Sequence, residues 1–368
     1  MPNQTPKPPA PTLPDVRKGQ GEMRIPESVF RERLRERFYD PAFERASAEV
    51  DKVIDIAWRV YSESHKSPRT RAAGEGFADP EMQLSVQWLA TRDAIAAAQR
   101  QHDDPSAKSR VLLICASARN DLTCPGEMSK TYRLCSTARG VLSSGGDFTV
   151  DFLDLSRLTA EYGRVIYPCK ACVSTAMPLC HWPCSCYPNH GLGQVQDWMG
   201  DIYPLWVAAH AVMIVTPVYW YQAPSPLKLM IDRLVCADGG NPDPTSTAGK
   251  DPKKAKELEL RGWSYPRHLA GRAYSVIVHG DAEGAETLRR SLSDWLSDLQ
   301  LVSAGHAANI GRYVGYYEPY ATSHHALDED TAIHEEVRNA ARALMGKVRE
   351  LRGGERFDEA ALEDPRPK

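Results

Sequence analysis

Five short apolar runs, separated by amphipathic stretches, constrain the fold of this 368-residue chain more than any other feature. The runs lie at 111–116, 147–155, 211–216, 273–280 and near 302–310. The run V-L-L-I-C-A at 111–116 contains no polar residue, which is typical of a strand that is buried on both faces of a sheet. Strands that alternate with helices predict a parallel sheet with helices packed on both of its faces.

The rest of the chain divides by composition. Residues 1–24 are polar and proline-rich, which predicts disorder. Residues 25–109 carry apolar side chains at helical spacing and predict a helical extension and linker that serve assembly. The predicted α/β domain covers 110–352, and a tail follows at 353–368. Within the domain lie a cysteine-rich loop, 163–196, and a long insertion, 237–271. The insertion is predicted to form a lid or an interface.

Charge and composition predict a soluble globular protein. The net charge is −3, hydrophobic residues make up 42% and charged residues 25%. This balance predicts binding neither to nucleic acid nor to a membrane. The first residues lack the pattern of a signal peptide, and the longest apolar stretch, 207–220, is too short to span a bilayer. We therefore expect a cytoplasmic protein.

In parallel α/β sheets, ligands bind at the carboxyl ends of the strands, where the strand order reverses. The first loop at this edge is A-S-A-R-N-D-L-T-C-P-G-E-M-S-K-T. It supplies hydroxyls and cations where a helix begins: Ser117, Arg119, Ser129, Lys130 and Thr131. A helix N-terminus of this kind favours a phosphate, although an ordinary turn capped by Ser129 explains the pattern equally well. The loop has no glycine directly before Lys130, which disfavours a nucleotide triphosphatase.

The second loop, T-P-V-Y-W-Y-Q-A-P-S-P-L-K-L-M-I-D-R, places three aromatic residues after the third strand, Tyr219, Trp220 and Tyr221. Such residues suit a flat, electron-poor ring system, and the alternative is that they fill a core or an interface.

Together the S-A-R loop and the P-V-Y-W-x-x-x-P-S-P-L-K-x-x-I-D-R motif resemble the NAD(P)H-dependent FMN reductase and multimeric flavodoxin family, over about residues 110–351. The resemblance implies a flavodoxin-like, doubly wound, five-stranded parallel sheet, non-covalently bound FMN, and a homodimer or homotetramer. It implies that Ser117, Arg119, Ser129, Lys130 and Thr131 hold the FMN phosphate. The isoalloxazine would be lined by Pro217, Val218, Tyr219 and Trp220, and covered by His279, Gly280 and Asp281.

The resemblance also implies an activity: FMN takes electrons from NAD(P)H and passes them to a quinone, a flavin or a protein. The sequence identifies no catalytic residue. The aromatic loop 313–325 is a candidate wall for the acceptor and, with equal weight, an oligomer contact. Two rival interpretations are a non-enzymatic electron carrier and a zinc-pinned interaction module with a vestigial flavin site.

Five of the nine cysteines lie within C-K-A-C-V-S-T-A-M-P-L-C-H-W-P-C-S-C: Cys169, Cys172, Cys180, Cys184 and Cys186. In a reducing compartment, such clustering indicates a metal or redox site more than disulfides. Four thiolates suit a [4Fe–4S] cluster or a tetrahedral zinc ion, and His181 or His190 could replace one thiolate around zinc.

A subset of the family, the iron–sulfur flavoproteins, carries a cysteine motif at this position between the second and third strands, although with a more compact spacing. Because a neighbouring flavin gives iron a use that zinc would lack, we predict the [4Fe–4S] cluster, with zinc as the alternative. Cys169 and Cys172 are the preferred ligands, and Cys184 is expected to be the surplus cysteine.

Overall fold

The computed structural model describes residues 26–64, 70–122, 128–161, 164–187, 197–319, 322–354 and 362. The predicted disorder of 1–24, together with Cys124 and His190, lies outside these residues. Within them, no helix is long and apolar enough to cross a membrane.

The strands are, in chain order, β1 Thr70–Ala72, β2 Gln83–Ser85, β3 Ser109–Cys115, β4 Phe148–Asp154, β5 Ala211–Pro217, β6 Ala273–Gly280, β7 Val302–Ser303 and β8 Asn309–Tyr313. The helices are α1 Glu27–Arg35, α2 Ser47–Ser64, α3 Val86–Asp103, α4 Lys130–Ser144, α5 Arg157–Ala160, α6 Met199–Ala208, α7 Ser225–Arg233, α8 Pro252–Leu260, α9 Ala285–Asp298, α10 Ser323–Glu329 and α11 Thr331–Gly353.

The chain forms two compact units. The first combines the segments 1–90, 170–197 and 241–263, and the second combines 91–169, 198–240 and 264–368. The first unit therefore brings together the N-terminal helices, most of the cysteine segment and the centre of the insertion.

In the second unit, a parallel sheet runs in the order β4-β3-β5-β6-β7, and β8 also pairs with β6. This is the flavodoxin-like strand order, so the predicted fold is confirmed. The fifth position is shared by two short strands because the 3-10 turn His306–Ala308 interrupts the predicted run. β5 is buried along its whole length, and in β6 every residue except the last is buried. Both faces of the central sheet are therefore covered, with α4 and α11 contributing to the core on one of them.

In the first unit, α1 packs on α2, where the Phe30 and Trp58 rings lie 5.4 Å apart. β1 and β2 form an antiparallel hairpin that the sequence did not predict. Strands of three residues are too short to show an alternation of apolar and polar side chains, so the helical pattern around them dominated the prediction. The hairpin and the start of α3 share a small core of Ala73, Phe77, Leu84, Trp88 and Leu89.

Candidate functional site

The first candidate site begins where the chain passes from β3 towards α4. Ser117 is buried, and its hydroxyl accepts a hydrogen bond from the Arg119 N–H at 3.1 Å. Ser129 caps α4: its backbone is extended, and its hydroxyl accepts from the Tyr132 N–H at 3.1 Å. The Ser129 hydroxyl hydrogen remains a donor for a ligand. Both explanations of this serine, as helix cap and as anion contact, are therefore compatible with its geometry.

Asn120, which the sequence analysis overlooked, fixes the same loop. Its buried side-chain amide donates to the Ser156 hydroxyl at 2.9 Å and accepts from the Leu122 N–H at 2.8 Å. A buried amide that is satisfied on both sides holds the backbone in one conformation. The loop that carries Ser117 and Arg119 is therefore anchored to the segment that follows β4.

Two cations lie close together at the start of α4. Burial lowers the pKa of the Lys130 ammonium, the nearby Asp281 carboxylate opposes that shift, and the charge of Arg119 adds to it. The ammonium donates to the Val314 carbonyl at 3.3 Å and lies 5.3 Å from the centre of the Tyr316 ring. Two neighbouring cations at a helix N-terminus form a favourable environment for an anion.

A buried histidine lies beside them. His279 Nε2 and the Thr131 hydroxyl are 2.9 Å apart, and both side chains are buried. Burial, assisted by the charge of Lys130, lowers the pKa of His279 to about 3, so the imidazole is neutral at physiological pH. Its other ring nitrogen, Nδ1, is buried and has no hydrogen-bond partner among the described residues. Such an atom needs a ligand or water to satisfy it.

The aromatic loop forms a tight hairpin turn. Tyr219 and Gln222 exchange two backbone hydrogen bonds of 2.9 Å, and the two central residues have positive φ, 44° at Trp220 and 69° at Tyr221. This is the backbone of a type I′ turn, which normally contains asparagine and glycine. Bulky residues in this conformation store strain, as often happens at functional sites.

None of the three aromatic side chains is buried in a core. Tyr219 is 44% exposed, Trp220 88% and Tyr221 56%. Gly284, with φ of 101°, packs against this turn: a Cβ at that position would lie 2.7 Å from the Tyr221 Cα. The alternative prediction that these aromatic residues fill a core is therefore wrong within the second unit.

The carboxyl edge of the sheet joins these parts. The Val218 N–H, just after β5, donates to the His279 carbonyl at 2.8 Å, and the Val314 N–H donates to the Gly280 carbonyl at 2.9 Å. Pro217 is the buried last residue of β5 and pairs with His279 across the sheet. Two further aromatic residues are exposed at this edge: Tyr313, the last residue of β8, and Tyr317, four residues later.

The second candidate site lies in the first unit. The Cys172 thiol contacts those of Cys180 and Cys186, and Cys186 also contacts Cys184. The hydrogen bond with Cys180 is the largest cause that raises the pKa of Cys172, to about 11. The hydrogen bond with Cys172 is likewise the main cause that raises the pKa of Cys186. Without a metal, these groups are therefore thiols at neutral pH.

Lys250, in the insertion, completes this group, and the sequence analysis did not find it. Its ammonium lies 3.7 Å from the Cys172 sulfur and donates to the Leu179 carbonyl at 2.8 Å. Burial alone would lower the pKa of Lys250, but the attraction of the sulfur atoms of Cys186, Cys172, Cys184 and Cys180 when they are ionised raises it, and the net shift is upward. The charges of the ammonium and of the sulfur atoms are therefore coupled.

His181 is not available as a ligand. Its ring nitrogens lie 2.6 Å from the Ser185 hydroxyl and 2.9 Å from the Thr247 hydroxyl, and the ring is buried. In the part of the chain that the structure describes, no three His, Cys, Asp or Glu side chains already surround a point that could hold a metal ion. The thiols are in contact pair by pair, and a bound metal would require them to close around it.

Comparison with known proteins identifies the family of this chain. The family model described as NADPH-dependent FMN reductase matches residues 109–314, more than half of the chain. No curated protein matches.

Similar solved structures include RosB with the bound intermediate 8-demethyl-8-formylriboflavin-5′-phosphate (12% identity, TM-score 0.42, covering 68% of this chain and 83% of that one). An oxidoreductase from Corynebacterium diphtheriae has 15% identity and a TM-score of 0.34, and the match covers 67% of this chain and 99% of that one. An NADH:FMN oxidoreductase, in its apo form, has 11% identity and a TM-score of 0.33, and the match covers 71% of this chain and 97% of that one. By its match to the family model, this chain belongs to the NADPH-dependent FMN reductase family and is an NAD(P)H-dependent, FMN-containing oxidoreductase.

Proposed function

We propose that FMN binds at the carboxyl edge of the sheet, with its phosphate at the start of α4. The residues that would hold the phosphate are Ser117, Arg119, Ser129, Lys130 and Thr131. The observation that carries this proposal is the pair of neighbouring cations, Lys130 and Arg119, at a helix N-terminus. A phosphate bound there would accept charge-assisted hydrogen bonds from both cations and would interact favourably with the helix N-terminus.

The ring system would lie against Pro217, Val218, Tyr219 and Trp220, next to the loop that begins with His279, Gly280 and Asp281. His279 supports this placement, because its buried Nδ1 atom needs a polar partner. Since the imidazole is neutral, it can offer one hydrogen-bond donor and one acceptor without adding charge. It would orient the flavin, and Trp220 would cover one face of the ring.

Bound FMN accepts a hydride from NAD(P)H and can release electrons singly or in pairs. The protein's part is to hold the flavin at the sheet edge and to leave one face open for the nicotinamide. We propose a quinone, a flavin or a protein as the final acceptor, approaching beside the exposed Tyr313 and Tyr317. The same aromatic side chains would also suit a contact in a homodimer or homotetramer, and we place the protein in the cytoplasm.

For the cysteine segment, we propose a thiolate-bound metal centre, either the [4Fe–4S] cluster that the sequence analysis favoured or a zinc ion. The donors are soft thiols, and a lysine ammonium lies among four of them, which suits an anionic metal–thiolate complex. A cluster would pass electrons onward from the flavin, whereas zinc would only stabilise the segment.

Anaerobic mixing of the purified, FMN-loaded protein with NADPH tests the oxidoreductase proposal. We expect direct bleaching of the flavin absorption, followed by turnover when a quinone is added. A flavin that stays oxidised with NADPH and NADH, but is reduced by a partner reductase, would favour the electron carrier instead.

A further inference from the structure

One tyrosine in the segment that follows β8 differs from its neighbours. The side chains of Tyr313 and Tyr317 are exposed, whereas Tyr316 is partly buried and packs against the core to which α4 and α11 contribute. The Tyr316 hydroxyl donates to the Asp330 carboxylate at 3.0 Å. Because the ring is packed and the hydroxyl is bonded, the orientation of this side chain is fixed.

The partner of that hydroxyl is held in place as well. Asp330 directly precedes α11, and its other carboxylate oxygen accepts a hydrogen bond from the Ile333 N–H at 3.1 Å, which caps the helix. The Asp330 N–H donates to the Ala326 and Leu327 carbonyls, both at 3.1 Å. A residue bonded through both carboxylate oxygens and its backbone has little freedom to move. Tyr316 is therefore attached to the start of α11.

The ring of Tyr316 meets the ammonium of Lys130. The Lys130 Nζ atom lies over the ring, 5.3 Å from its centre, within the range of a cation–π interaction. The same ammonium donates to the Val314 carbonyl at 3.3 Å. The Val314 N–H donates to the Gly280 carbonyl at 2.9 Å, which ties this segment to the end of β6. Two residues of one anchored segment therefore contact the lysine.

These contacts leave the ammonium able to bind an anion. It has three N–H donors, of which the Val314 carbonyl accepts one and the ring face can take another. A free lysine side chain loses conformational entropy when a ligand orders it, and this loss weakens binding. A lysine that is already held at the start of α4 loses less.

We infer that Tyr316, anchored by Asp330, is a positioning residue for the flavin phosphate: it holds the Lys130 ammonium where the phosphate would bind. This inference rests on the proposed phosphate site and adds a residue that acts on it through the lysine. It also gives the segment 313–317 a role in cofactor binding, besides the role as acceptor wall or oligomer contact that the sequence suggested.

The test compares the affinities of full-length variants for FMN and for riboflavin, which lacks the phosphate, by flavin fluorescence titration. Tyr316→Leu and Tyr316→Met both remove the ring and the hydroxyl but keep an apolar side chain against the core. Each should weaken FMN binding about 3- to 10-fold and leave riboflavin binding unchanged. Tyr316→Phe keeps the ring face and should retain most of the preference for FMN.

Phe148→Leu is the matched control. The Arg349 guanidinium lies over the Phe148 ring, also 5.3 Å from its centre, but at the start of β4 and hence at the opposite edge of the parallel sheet. This variant removes a ring of the same kind from beneath a cation and should leave both affinities unchanged.

A double-mutant cycle shows whether the tyrosine acts through the lysine. In a Lys130→Ala background, Tyr316→Leu should have no further effect on FMN affinity. An undiminished effect in that background would overturn the positioning role, and so would the wild-type preference for FMN in both Tyr316→Leu and Tyr316→Met. In either case the preference of the wild type for FMN would leave the proposed phosphate site standing. Equal affinities of the wild type for the two flavins would contradict the phosphate site itself, and this inference with it.

Discussion

Two lysines, Lys130 at the sheet edge and Lys250 at the cysteine site, show how differently the two regions handle a positive charge. Burial and the neighbouring Arg119 lower the pKa of Lys130. At Lys250, the sulfur atoms overcome the effect of burial and raise the pKa. The first lysine shares its site with a second cation, Arg119, and with the Asp281 carboxylate, and we propose that a ligand phosphate binds beside the two cations. The second is surrounded by groups that become negative themselves when they bind a metal.

This comparison predicts opposite ligand specificities for the two regions. The sheet edge should bind a phosphate and be indifferent to metal ions, and the cysteine site should bind a soft metal and be indifferent to phosphate. The predictions below test this contrast, beginning with the variant for which we expect the largest effect.

Replacing Ser129 and Lys130 together by alanine should weaken FMN binding by about 3–6 kcal/mol, since each charge-assisted phosphate contact contributes about 1.5–3 kcal/mol. Flavin fluorescence titration measures the change in the dissociation constant. Lys108→Ala, which removes the same charge from an exposed position before β3, is the matched control. An unaltered FMN affinity in the double variant would remove the phosphate site from this edge.

The lowered pKa of His279 predicts how the free energy of unfolding depends on pH. Its pKa is about 3 in the folded protein and about 6.5 when unfolded, so the unfolded chain binds the proton more readily. This contribution to stability is complete above pH 6.5 and is lost as the pH falls towards 3. Relative to His279→Gln, the wild type should lose on the order of 3 kcal/mol more stability between pH 7 and pH 4.

Urea unfolding across this pH range measures the difference, and the exposed His306→Gln is the control. Parallel pH profiles for the wild type and His279→Gln would show that the imidazole is not buried and neutral as described.

Gly284→Ala should destabilise the turn that carries Trp220, because the new Cβ would lie 2.7 Å from the Tyr221 Cα. Gly271 is the matched control, since it also has positive φ, 80°, but nothing lies within 4 Å of an added Cβ. Gly271→Ala should cost only the left-handed backbone term of about 1–2 kcal/mol, and Gly284→Ala should cost about 1–3 kcal/mol more. Equal costs in urea unfolding would mean that the turn and Gly284 are not in contact.

Trp220→Ala should leave stability nearly unchanged, because the side chain is 88% exposed, but should slow reduction of the flavin by NAD(P)H and shift its potential. Trp220→Gly should have the same kinetic defect and be about 1–2 kcal/mol more stable than Trp220→Ala, because φ is positive there. Stopped-flow kinetics and a redox titration measure both effects. As a control, Tyr39→Ala removes an equally exposed aromatic residue elsewhere and should change neither the reduction rate nor the potential. A Trp220 variant with normal kinetics would place the indole away from the flavin.

The centre of the sheet could be predicted from the sequence because β3, β5 and β6 are buried on both faces and appear as continuous apolar runs, such as V-L-L-I-C in β3. The break between β7 and β8 could not, because the run across 302–310 does not reveal the turn at His306. The proposed phosphate loop could be selected from its residue types, because hydroxyls and cations next to a helix start favour an anion, although an ordinary turn capped by Ser129 has the same residues.

The parts that the sequence did not reveal depend on distant or atypical residues. Lys250 lies 78 positions from Cys172, and nothing in its local sequence indicates that the insertion folds against the cysteine segment. The turn at Trp220–Tyr221 lacks the glycine and asparagine that would predict positive φ. His279 was predicted from the family resemblance, but its orphaned Nδ1 atom became evident only from the packing around β6.

The most direct test of the central claim compares the affinity of the wild-type protein for FMN and for riboflavin, which differ only in the phosphate. If the two cations at the start of α4 bind the phosphate, FMN should bind at least 100-fold more tightly than riboflavin at low ionic strength, and the preference should shrink as salt is added. Equal affinities for the two flavins would contradict the assignment of this edge as a flavin phosphate site.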